Sequence, residues 1–177
     1  MPKFNDVDLD NWKDSEIWTD SLWLIKERDK TGKHSNFYHG NFDPQIPRQL
    51  ILRYTKKNDI IFDPFIGSGT TAFEAEMLGR NCIGVDIQPI LIEQVKSKMD
   101  SKNNFFEFIS GDSAHEKTFT NIKEVLKNHK KQAVQLAILH PPYADIIKFS
   151  DKKEDLSNAV SLKDFIDKFA KVVKNTL

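Results

Sequence analysis

The chain has 177 residues, and its apolar fraction of 39% is enough to build the core of one domain. Its 26 basic and 26 acidic residues cancel, so the composition gives no sign of the strongly basic surface of a stand-alone nucleic-acid binder. The single cysteine cannot form an internal disulfide, which favours a reducing compartment. The start of the chain is acidic, and no apolar run approaches the roughly 20 residues of a membrane helix. We therefore expect a cytoplasmic protein without a membrane partner.

The first third of the chain, residues 1–58, lacks the alternation of strand and helix that follows it. Its three tryptophans, Trp12, Trp18 and Trp23, are expected to pack against the edge of the sheet, with stacking on a nucleic-acid base as the alternative. A helix is predicted near residues 48–54. We predict a single domain over residues 1–177, in which this segment leads into a core formed by residues 59–177.

The remaining residues alternate between short apolar runs and helical patterns. Buried parallel strands are predicted at residues 59–63, 81–86, 105–110 and 133–139. Helices are predicted from Thr70 to Leu78, from Pro89 to about Met99, from a capping box at Ser113 to about Asn128, and from Ser161 onwards. This alternation is typical of a doubly wound α/β fold.

Four polar residues follow the four predicted strands. Right-handed crossovers place the carboxyl ends of parallel strands at one edge of the sheet. We therefore expect Asp63, Asp86, Asp112 and His140 to lie close together. The last predicted helix should lead into another strand, and none follows in the sequence. The sheet is thus predicted to be incomplete at its C-terminal end, as in a fragment, a truncated gene or one half of a split enzyme.

Residues 63–71 read Asp-Pro-Phe-Ile-Gly-Ser-Gly-Thr-Thr, which predicts a glycine turn between the first strand and its helix. A sharp reversal and a close ligand leave little room for Cβ atoms, and the helix that follows offers free N–H groups to the ligand. Asp86 ends the second apolar run, 23 positions after Asp63. Together these residues predict a site for a nucleotide-type cofactor.

Different classes of cofactor fit this glycine turn to different degrees. A P-loop requires Gly-Lys-Ser/Thr, and no lysine is near the turn. A dinucleotide site remains an alternative, because Gly67-x-Gly69-x-x-Ala72 fits its tolerant pattern and Asp86 lies at a suitable distance to bind ribose. The carboxylate of Asp63 ahead of the glycines instead favours a cationic ligand. S-adenosylmethionine, with a sulfonium and an ammonium group, is such a ligand.

The glycine turn resembles that of the amino-methyltransferases of DNA, which act on adenine N6 or cytosine N4 and share the motif Asp-Pro-Phe-x-Gly-x-Gly-Thr-Thr. The resemblance covers about residues 21–150. It implies a Rossmann-like, S-adenosylmethionine-dependent methyltransferase fold with a mostly parallel sheet, and a site-specific enzyme of the kind found in restriction-modification systems. The residues it assigns to cofactor binding are His39, Gly40, Phe42, Pro47, Asp63, Pro64, Phe65, Gly67, Ser68, Gly69, Thr70, Thr71, Asp86, Ile87, Asp112 and Ser113.

The same resemblance assigns roles within this set. The segment from Phe37 to Pro47 would help to hold the methionine part of the cofactor. Asp86 would bind the ribose, Ile87 would lie against the adenine ring, and Asp112 would accept a hydrogen bond from the adenine amino group. An alternative for Asp112 is a turn or helix-cap residue.

His140-Pro141-Pro142-Tyr143 follows the fourth apolar run. It resembles the family's catalytic tetrapeptide, Asp/Asn/Ser-Pro-Pro-Tyr/Phe, although the histidine departs from that pattern. The resemblance implies that His140 and the carbonyl of Pro141 accept hydrogen bonds from the target amino group, whose nitrogen is otherwise a poor nucleophile. Tyr143 would stack on a base flipped out of double-stranded DNA. The alternative is a rigid loop or a short polyproline ligand.

Other functions remain open from the sequence. RNA guanine-N2 methyltransferases use the same tetrapeptide chemistry, and a cofactor-binding remnant would be inactive alone. An NAD(P)-dependent dehydrogenase would follow from the dinucleotide alternative. Methyl transfer from a sulfonium needs no metal. The expected partners are DNA and, because the sheet is predicted to be incomplete, a complementary subunit or a missing C-terminal part.

Overall fold

The computed structural model describes residues 3–34, 38–100, 102–144 and 146–177. Its strands are β1 Ile60–Asp63, β2 Asn81–Asp86, β3 Phe106–Ser110 and β4 Leu136–Ala137. Its helices are α1 Gln45–Tyr54, α2 Thr70–Met77, α3 Pro89–Lys96, α4 Glu116–Asn128 and α5 Leu162–Thr176. Single turns of 3-10 helix also lie at Trp12–Asp14 and Leu156–Asn158. Phe37, which opens the predicted methionine-binding segment, lies outside the described residues.

The strands form a parallel sheet in the order β3-β2-β1-β4. β1 lies inside the sheet and is buried along its length, as its continuous apolar run predicts. The predicted α/β fold is confirmed, and the first three strands begin within one residue of their predicted positions. β4 has two residues instead of the predicted 133–139, because its pairing with β1 is limited to Leu136 and Ala137 and most of that run is partly exposed.

Side chains of alternate strand residues pack into two apolar clusters. The first joins Ile61 to α2 and α3 through Phe73 and Val95. The second joins Phe62 to α4 through Ile122. Neighbouring residues of a strand point to opposite faces, so Ile61 and Phe62 place these clusters on the two faces of the sheet. The carboxyl edge of the sheet is left to the loops that follow the strands.

The N-terminal segment packs on α1. Trp18 donates its backbone N–H to the side chain of Gln49 at 2.7 Å, and its ring meets Trp23 edge to face with centroids 5.8 Å apart. The guanidinium of Arg53 lies 5.0 Å from the centroid of the Trp23 ring. These two tryptophans are packing residues, but the element they contact is α1 and not the predicted edge of the sheet. Trp12 is 41% exposed.

A buried ionic network ties the N-terminal segment to two helices. Glu74 of α2 is fully buried, and its carboxylate contacts Nε2 of His34 at 2.7 Å. Arg48 of α1 donates to the same carboxylate at 2.8 and 3.0 Å and pairs with Asp29 at 2.7 Å. A buried carboxylate requires such partners, because an unpaired charge is costly to remove from water. The network fixes Asp29 and His34 against α1 and α2.

The helix ends follow local backbone chemistry, with one correction to the predicted boundaries. α2 is followed by Gly79, whose φ of 72° is the left-handed conformation of a helix stop. α5 is capped by Ser161 as predicted. The predicted capping box at Ser113 is wrong, because it is the side chain of His115 that accepts the capping hydrogen bond at the start of α4. No helix among the described residues is long and apolar enough to cross a bilayer.

Candidate functional site

A pocket opens at the carboxyl edge of the sheet, where the loops after the four strands meet. The predicted site residues that line it are Gly40, Phe42, Pro64, Phe65, Gly67, Thr70, Asp86, Ile87, Asp112, Ser113, His140, Pro141, Pro142 and Tyr143. The predicted site residues outside its lining are His39, Pro47, Asp63, Ser68, Gly69 and Thr71. His39 is exposed, whereas the other five are buried in α1 or around the glycine turn.

The glycine turn has a backbone that suits glycine alone. Gly67 and Gly69 have φ angles of 51° and 96°, where residues with a Cβ are strained. The turn is fastened to β2, because the N–H of Ile66 donates to the carbonyl of Val85 at 2.9 Å and the N–H of Gly67 to the carboxylate of Asp86 at 3.0 Å. Space is also short, since a Cβ on Gly69 would lie 3.0 Å from core side chains.

Asp63 shapes the glycine turn from beneath it. Its side chain is 1% exposed, and one carboxylate oxygen accepts the N–H of Phe65 at 2.8 Å. Burial raises the pKa of Asp63 to about 7, because little water is left to stabilise the charged form. The sequence predicts that this carboxylate attracts a cationic ligand. The structure buries Asp63 outside the pocket lining, so its carboxylate does not face a ligand in the pocket.

Asp86 ends β2 and faces the pocket. Its carboxylate accepts the N–H groups of Gly67 at 3.0 Å and of Gln88 at 2.8 Å, so it joins the glycine turn to the start of α3. Burial raises the pKa of Asp86 to about 6. Each carboxylate oxygen has two lone pairs, so the group keeps acceptor capacity for the hydroxyl groups of a ligand. Ile87 follows it on the pocket wall.

The loop after β3 contributes Asp112 and Ser113 to the pocket. Asp112 is a turn residue that accepts the N–H of Ala114 at 2.8 Å, and it also lines the pocket. The hydroxyl of Ser113 donates to the carbonyl of Pro64 at 2.6 Å, which ties this loop to the glycine turn. This hydrogen bond also explains the later start of α4, because Ser113 is engaged with a neighbouring loop.

His140 lies at the centre of an aromatic group after β4. Its ring stacks on Phe42, with the centroids 4.5 Å apart and the planes 16° apart. Its Nε2 lies 2.8 Å from the hydroxyl oxygen of Tyr143, a residue that is 64% exposed. Burial lowers the pKa of His140 below its ordinary value, which favours the neutral imidazole with one acceptor nitrogen.

Tyr38 belongs to the segment predicted to hold the methionine part of the cofactor, whereas Phe149 is a pocket residue to which the sequence assigns no role. Tyr38 lies against Gly67, and its ring centroid is 5.8 Å from that of Phe149. Phe149 fills the space that Gly40 leaves free, since a Cβ on this glycine would lie 2.7 Å from the Phe149 ring. Burial raises the pKa of Tyr38. A glycine beside aromatic residues can signal such a close approach, but it does not identify the partner.

Residues 149–158, here called the pocket loop, cross from the tetrapeptide to the cofactor side of the pocket. Asp155 organises the loop, because its carboxylate accepts the hydroxyl of Ser150 at 2.6 Å, the N–H of Ser157 at 2.8 Å and the hydroxyl of Ser157 at 2.7 Å. The ammonium group of Lys152 donates to the carbonyl of Ile87 and fastens the loop beside β2. The sequence Asp-Leu-Ser is a recognisable cap, but its place at the pocket depends on the fold.

The charged residues of the pocket lining are acidic. They are Asp86, Asp112, Glu154 and Asp155, and no lysine or arginine is present in the lining among the residues that the structure describes. Carboxylates at this density attract a cationic ligand and repel a diphosphate. The pocket therefore suits a positively charged cofactor better than a dinucleotide.

The chain matches a family model, N6_N4_Mtase, which is described as DNA methylase, over residues 3–97. The matched span includes the glycine turn and Asp86.

Three Type II methyltransferases are similar to parts of the chain. M.MjaII of Methanocaldococcus jannaschii is 40% identical over 84 residues, which are 45% of this chain and 16% of that protein. M2.LlaDCHI of Lactococcus lactis subsp. cremoris is 37% identical over 100 residues, or 56% of this chain and 34% of that protein. M2.DpnII of Streptococcus pneumoniae is 34% identical over 88 residues, or 50% of this chain and 31% of that protein. The chain thus spans about a third or less of the length of these relatives.

Proposed function

The chain belongs to the N6/N4 DNA methylase family, and from this premise we propose that it transfers a methyl group from S-adenosylmethionine to an exocyclic amino group of DNA. The acceptor is N6 of adenine or N4 of cytosine, and we expect the reaction to take place in the cytoplasm. The activity of the relatives is proposed for this chain and not shown for it, because the chain spans 16–34% of their length. The observation that carries it is the acidic pocket between the glycine turn and the His-Pro-Pro-Tyr tetrapeptide.

The residues of the pocket fit S-adenosylmethionine. Its net positive charge matches the carboxylates of the lining, and when bound it supplies an electrophilic methyl group on a sulfonium. Asp86 would hold the ribose hydroxyls, and Ile87 would lie against the adenine ring. Asp112 would accept a hydrogen bond from the adenine amino group.

His140 would activate the amino group of the target base. The nitrogen of such a group is a poor nucleophile because its lone pair is delocalised into the ring, and acceptors aimed at its hydrogens favour a tetrahedral nitrogen. In the tautomer whose Nε2–H donates to the oxygen of Tyr143, Nδ1 of His140 is available as one acceptor. The carbonyl of Pro141 would be the second acceptor, oriented by the locked φ of Pro142.

Tyr143 would supply the surface on which the target base stacks. A base inside a duplex cannot reach an enclosed pocket, so the partner is expected to be double-stranded DNA with the target base flipped out. The exposed ring of Tyr143 suits that contact. We also propose that a complementary subunit or further chain extends the sheet beyond β4, whose outer side pairs with no strand among the described residues.

Two measurements test the proposed function. Isothermal titration calorimetry with S-adenosylmethionine measures cofactor binding, and transfer of a radiolabelled methyl group to unmethylated DNA measures the reaction. Digestion of the product to nucleosides then separates N6-methyladenine from N4-methylcytosine. Tyr143→Ala should retain cofactor binding and lose most of the transfer. Lys171→Ala, at an exposed position on α5, is the matched control and should retain both.

Each alternative function has its own outcome in these measurements. Cofactor binding without transfer to any nucleic acid would indicate a cofactor-binding remnant. Transfer to RNA but not to DNA would indicate an RNA methyltransferase. Binding of NADPH in place of S-adenosylmethionine would indicate a dehydrogenase and would contradict the proposal, as would a failure to bind S-adenosylmethionine at all.

A further inference from the structure

Asp155 is a buried carboxylate that lines the pocket. The residue is 4% exposed, and the three hydrogen bonds to its carboxylate come from uncharged groups of Ser150 and Ser157 in the same loop. No lysine, arginine or histidine forms an ion pair with Asp155 among the residues described. Asp155 therefore presents a negative charge to the pocket without a cationic partner of its own.

A buried charge without a counter-charge is expensive to keep away from water. Burial is the largest cause of the raised pKa of Asp86 and of Tyr38. The charge of Asp155 raises both further, after that of Asp86 in the case of Tyr38, and at Asp86 the ammonium group of Lys152 acts in the opposite direction with a smaller effect. A positive charge placed in the pocket would offset the repulsion between Asp155 and Asp86. The loop thus provides an electrostatic reason to bind a cation.

We propose that Asp155 makes the pocket selective for the positively charged methyl donor over its neutral demethylated product, S-adenosylhomocysteine. This inference rests on the proposed function. The donor and the product differ by one methyl group and one positive charge at sulfur, so their shapes are nearly the same. A site that distinguishes them by charge needs a carboxylate that is shielded from solvent and is not neutralised by the protein, because screening weakens an exposed charge.

The other carboxylates of the lining are less suited to this task. Asp86 and Asp112 accept backbone N–H groups that build their turns, and they face the ribose and adenine of the proposed cofactor. Glu154 is exposed, so water and salt screen its charge. Asp155 is the lining carboxylate that combines deep burial with freedom from a structural role outside its own loop.

The test compares the affinities for S-adenosylmethionine and S-adenosylhomocysteine by isothermal titration calorimetry, without reference to catalysis. Asp155→Asn removes the charge, while its amide oxygen can still accept from Ser157 and its amide NH2 can donate to the hydroxyl of Ser150. Asp155→Ser is a second neutral replacement that can still cap the turn. The preference for the methyl donor should fall by about ten-fold in both variants, which is the size expected for one unit charge in a partly wet site. The affinity for S-adenosylhomocysteine should remain as in the unmodified chain.

Glu154→Gln is the matched control, because it removes an adjacent exposed charge of the same lining, and it should leave the preference almost unchanged. An unchanged preference in both Asp155 variants would overturn the inference and leave the proposed function standing. Equal losses for the two ligands would also overturn it, because they would assign Asp155 a structural role. If the unmodified chain binds neither ligand, the proposed function itself fails, and the inference fails with it.

Discussion

At the residue scale, His140 occupies the position where the resembled tetrapeptide has Asp, Asn or Ser. Histidine differs from these residues because protonation near neutral pH removes its hydrogen-bond acceptor. Burial lowers the pKa of His140 from its ordinary value of 6.5. The imidazole therefore stays neutral at physiological pH. The doubly protonated ring has two donors and no acceptor, so protonation would remove the hydrogen bond that His140 is proposed to accept.

We predict that methyl transfer stays constant from pH 8 down to the ordinary histidine range and falls as the pH drops below it. His140→Asn supplies an amide oxygen that accepts at every pH, so this variant should show a smaller fall, whose remainder comes from Asp86 with its pKa of about 6. Initial rates of labelled-methyl transfer at saturating cofactor concentration, measured between pH 5 and pH 8, test this difference. The same acid limb in both proteins would remove His140 from the mechanism.

Asp63 carries a second prediction at the residue scale. Its pKa of about 7 in the folded chain lies above the ordinary 3.8, so between these values the folded chain binds more protons than the unfolded chain. The stability that this group contributes is therefore present below about pH 4 and is lost as the pH rises to about 7. Asp63→Asn removes the buried charge and keeps an acceptor for the N–H of Phe65.

Asp63→Asn should therefore have a higher free energy of unfolding than the unmodified chain. The difference between the two proteins should be larger at pH 8 than at pH 5. Urea unfolding at the two pH values measures this difference. If the substitution changes stability equally at both, the carboxylate of Asp63 does not titrate in this range.

At the scale of single elements, β2 has no room for a side chain at Gly84. A Cβ at this position would lie 2.8 Å from the side chains of Ile66 and Phe108. Gly84→Ala should therefore lower the free energy of unfolding by about 1–3 kcal/mol, the usual size of overpacking in a core. It should also weaken cofactor binding, because Ile66 belongs to the glycine turn. Urea unfolding and calorimetry measure the two effects.

The control for Gly84→Ala is Val160→Ala, which changes the volume of a side chain at a position that is 91% exposed. This control should change neither stability nor cofactor binding measurably. If Gly84→Ala is as stable as the unmodified chain, the packing at β2 is looser than the structure describes.

The elements differ in how far the sequence predicts them. β1 and β2 follow from continuous apolar runs, because a strand buried on both faces needs no polar residue. β3 is predicted at the right position, but it lies at an edge of the sheet, contains Glu107 and is mostly half-buried. β4 is overestimated, because the apolar pattern does not indicate how many of its residues pair with β1. The start of α4 is misplaced for a related reason. Ser113 has the sequence signature of a cap, but its hydroxyl is bound to Pro64, a residue of another loop.

Some residues of the candidate site can be predicted from a short stretch of sequence, and others cannot. The glycine turn and the tetrapeptide are contiguous motifs, so their residues could be identified before the fold was known. Phe149 and Asp155 carry no motif that indicates a ligand, and they reach the pocket because distant segments cross at the carboxyl edge. Contacts of this kind depend on the tertiary fold and are not encoded in any short stretch of sequence.

At the scale of the whole molecule, the network around Glu74 holds the N-terminal segment to the core. Arg48→Gln would leave this fully buried carboxylate without its bidentate partner. Removing one partner of a buried ion pair typically lowers the free energy of unfolding by about 3–5 kcal/mol, and we expect a loss of this size. Urea unfolding measures the loss, and limited proteolysis should show earlier cleavage in the segment before α1.

The exposed pair of Lys163 and Asp167 on α5 provides the control for this prediction. Lys163→Gln should leave both unfolding and proteolysis unchanged, because exposed ion pairs are well solvated. Equal behaviour of the two variants would mean that the buried network does not hold the N-terminal segment in place.

The short stretch that contains Gly40 and Phe42 touches both halves of the pocket. Gly40 accommodates the ring of Phe149 in the pocket loop, and Phe42 stacks on His140 beside the tetrapeptide. One residue, Asn41, thus separates the glycine beside Phe149 from the ring that stacks on His140, and these two positions flank the proposed donor and acceptor sites. A ligand that repositions this stretch changes both sites together, so the affinities for donor and acceptor should be thermodynamically linked. Each ligand would then alter the affinity for the other by the same factor, whichever binds first.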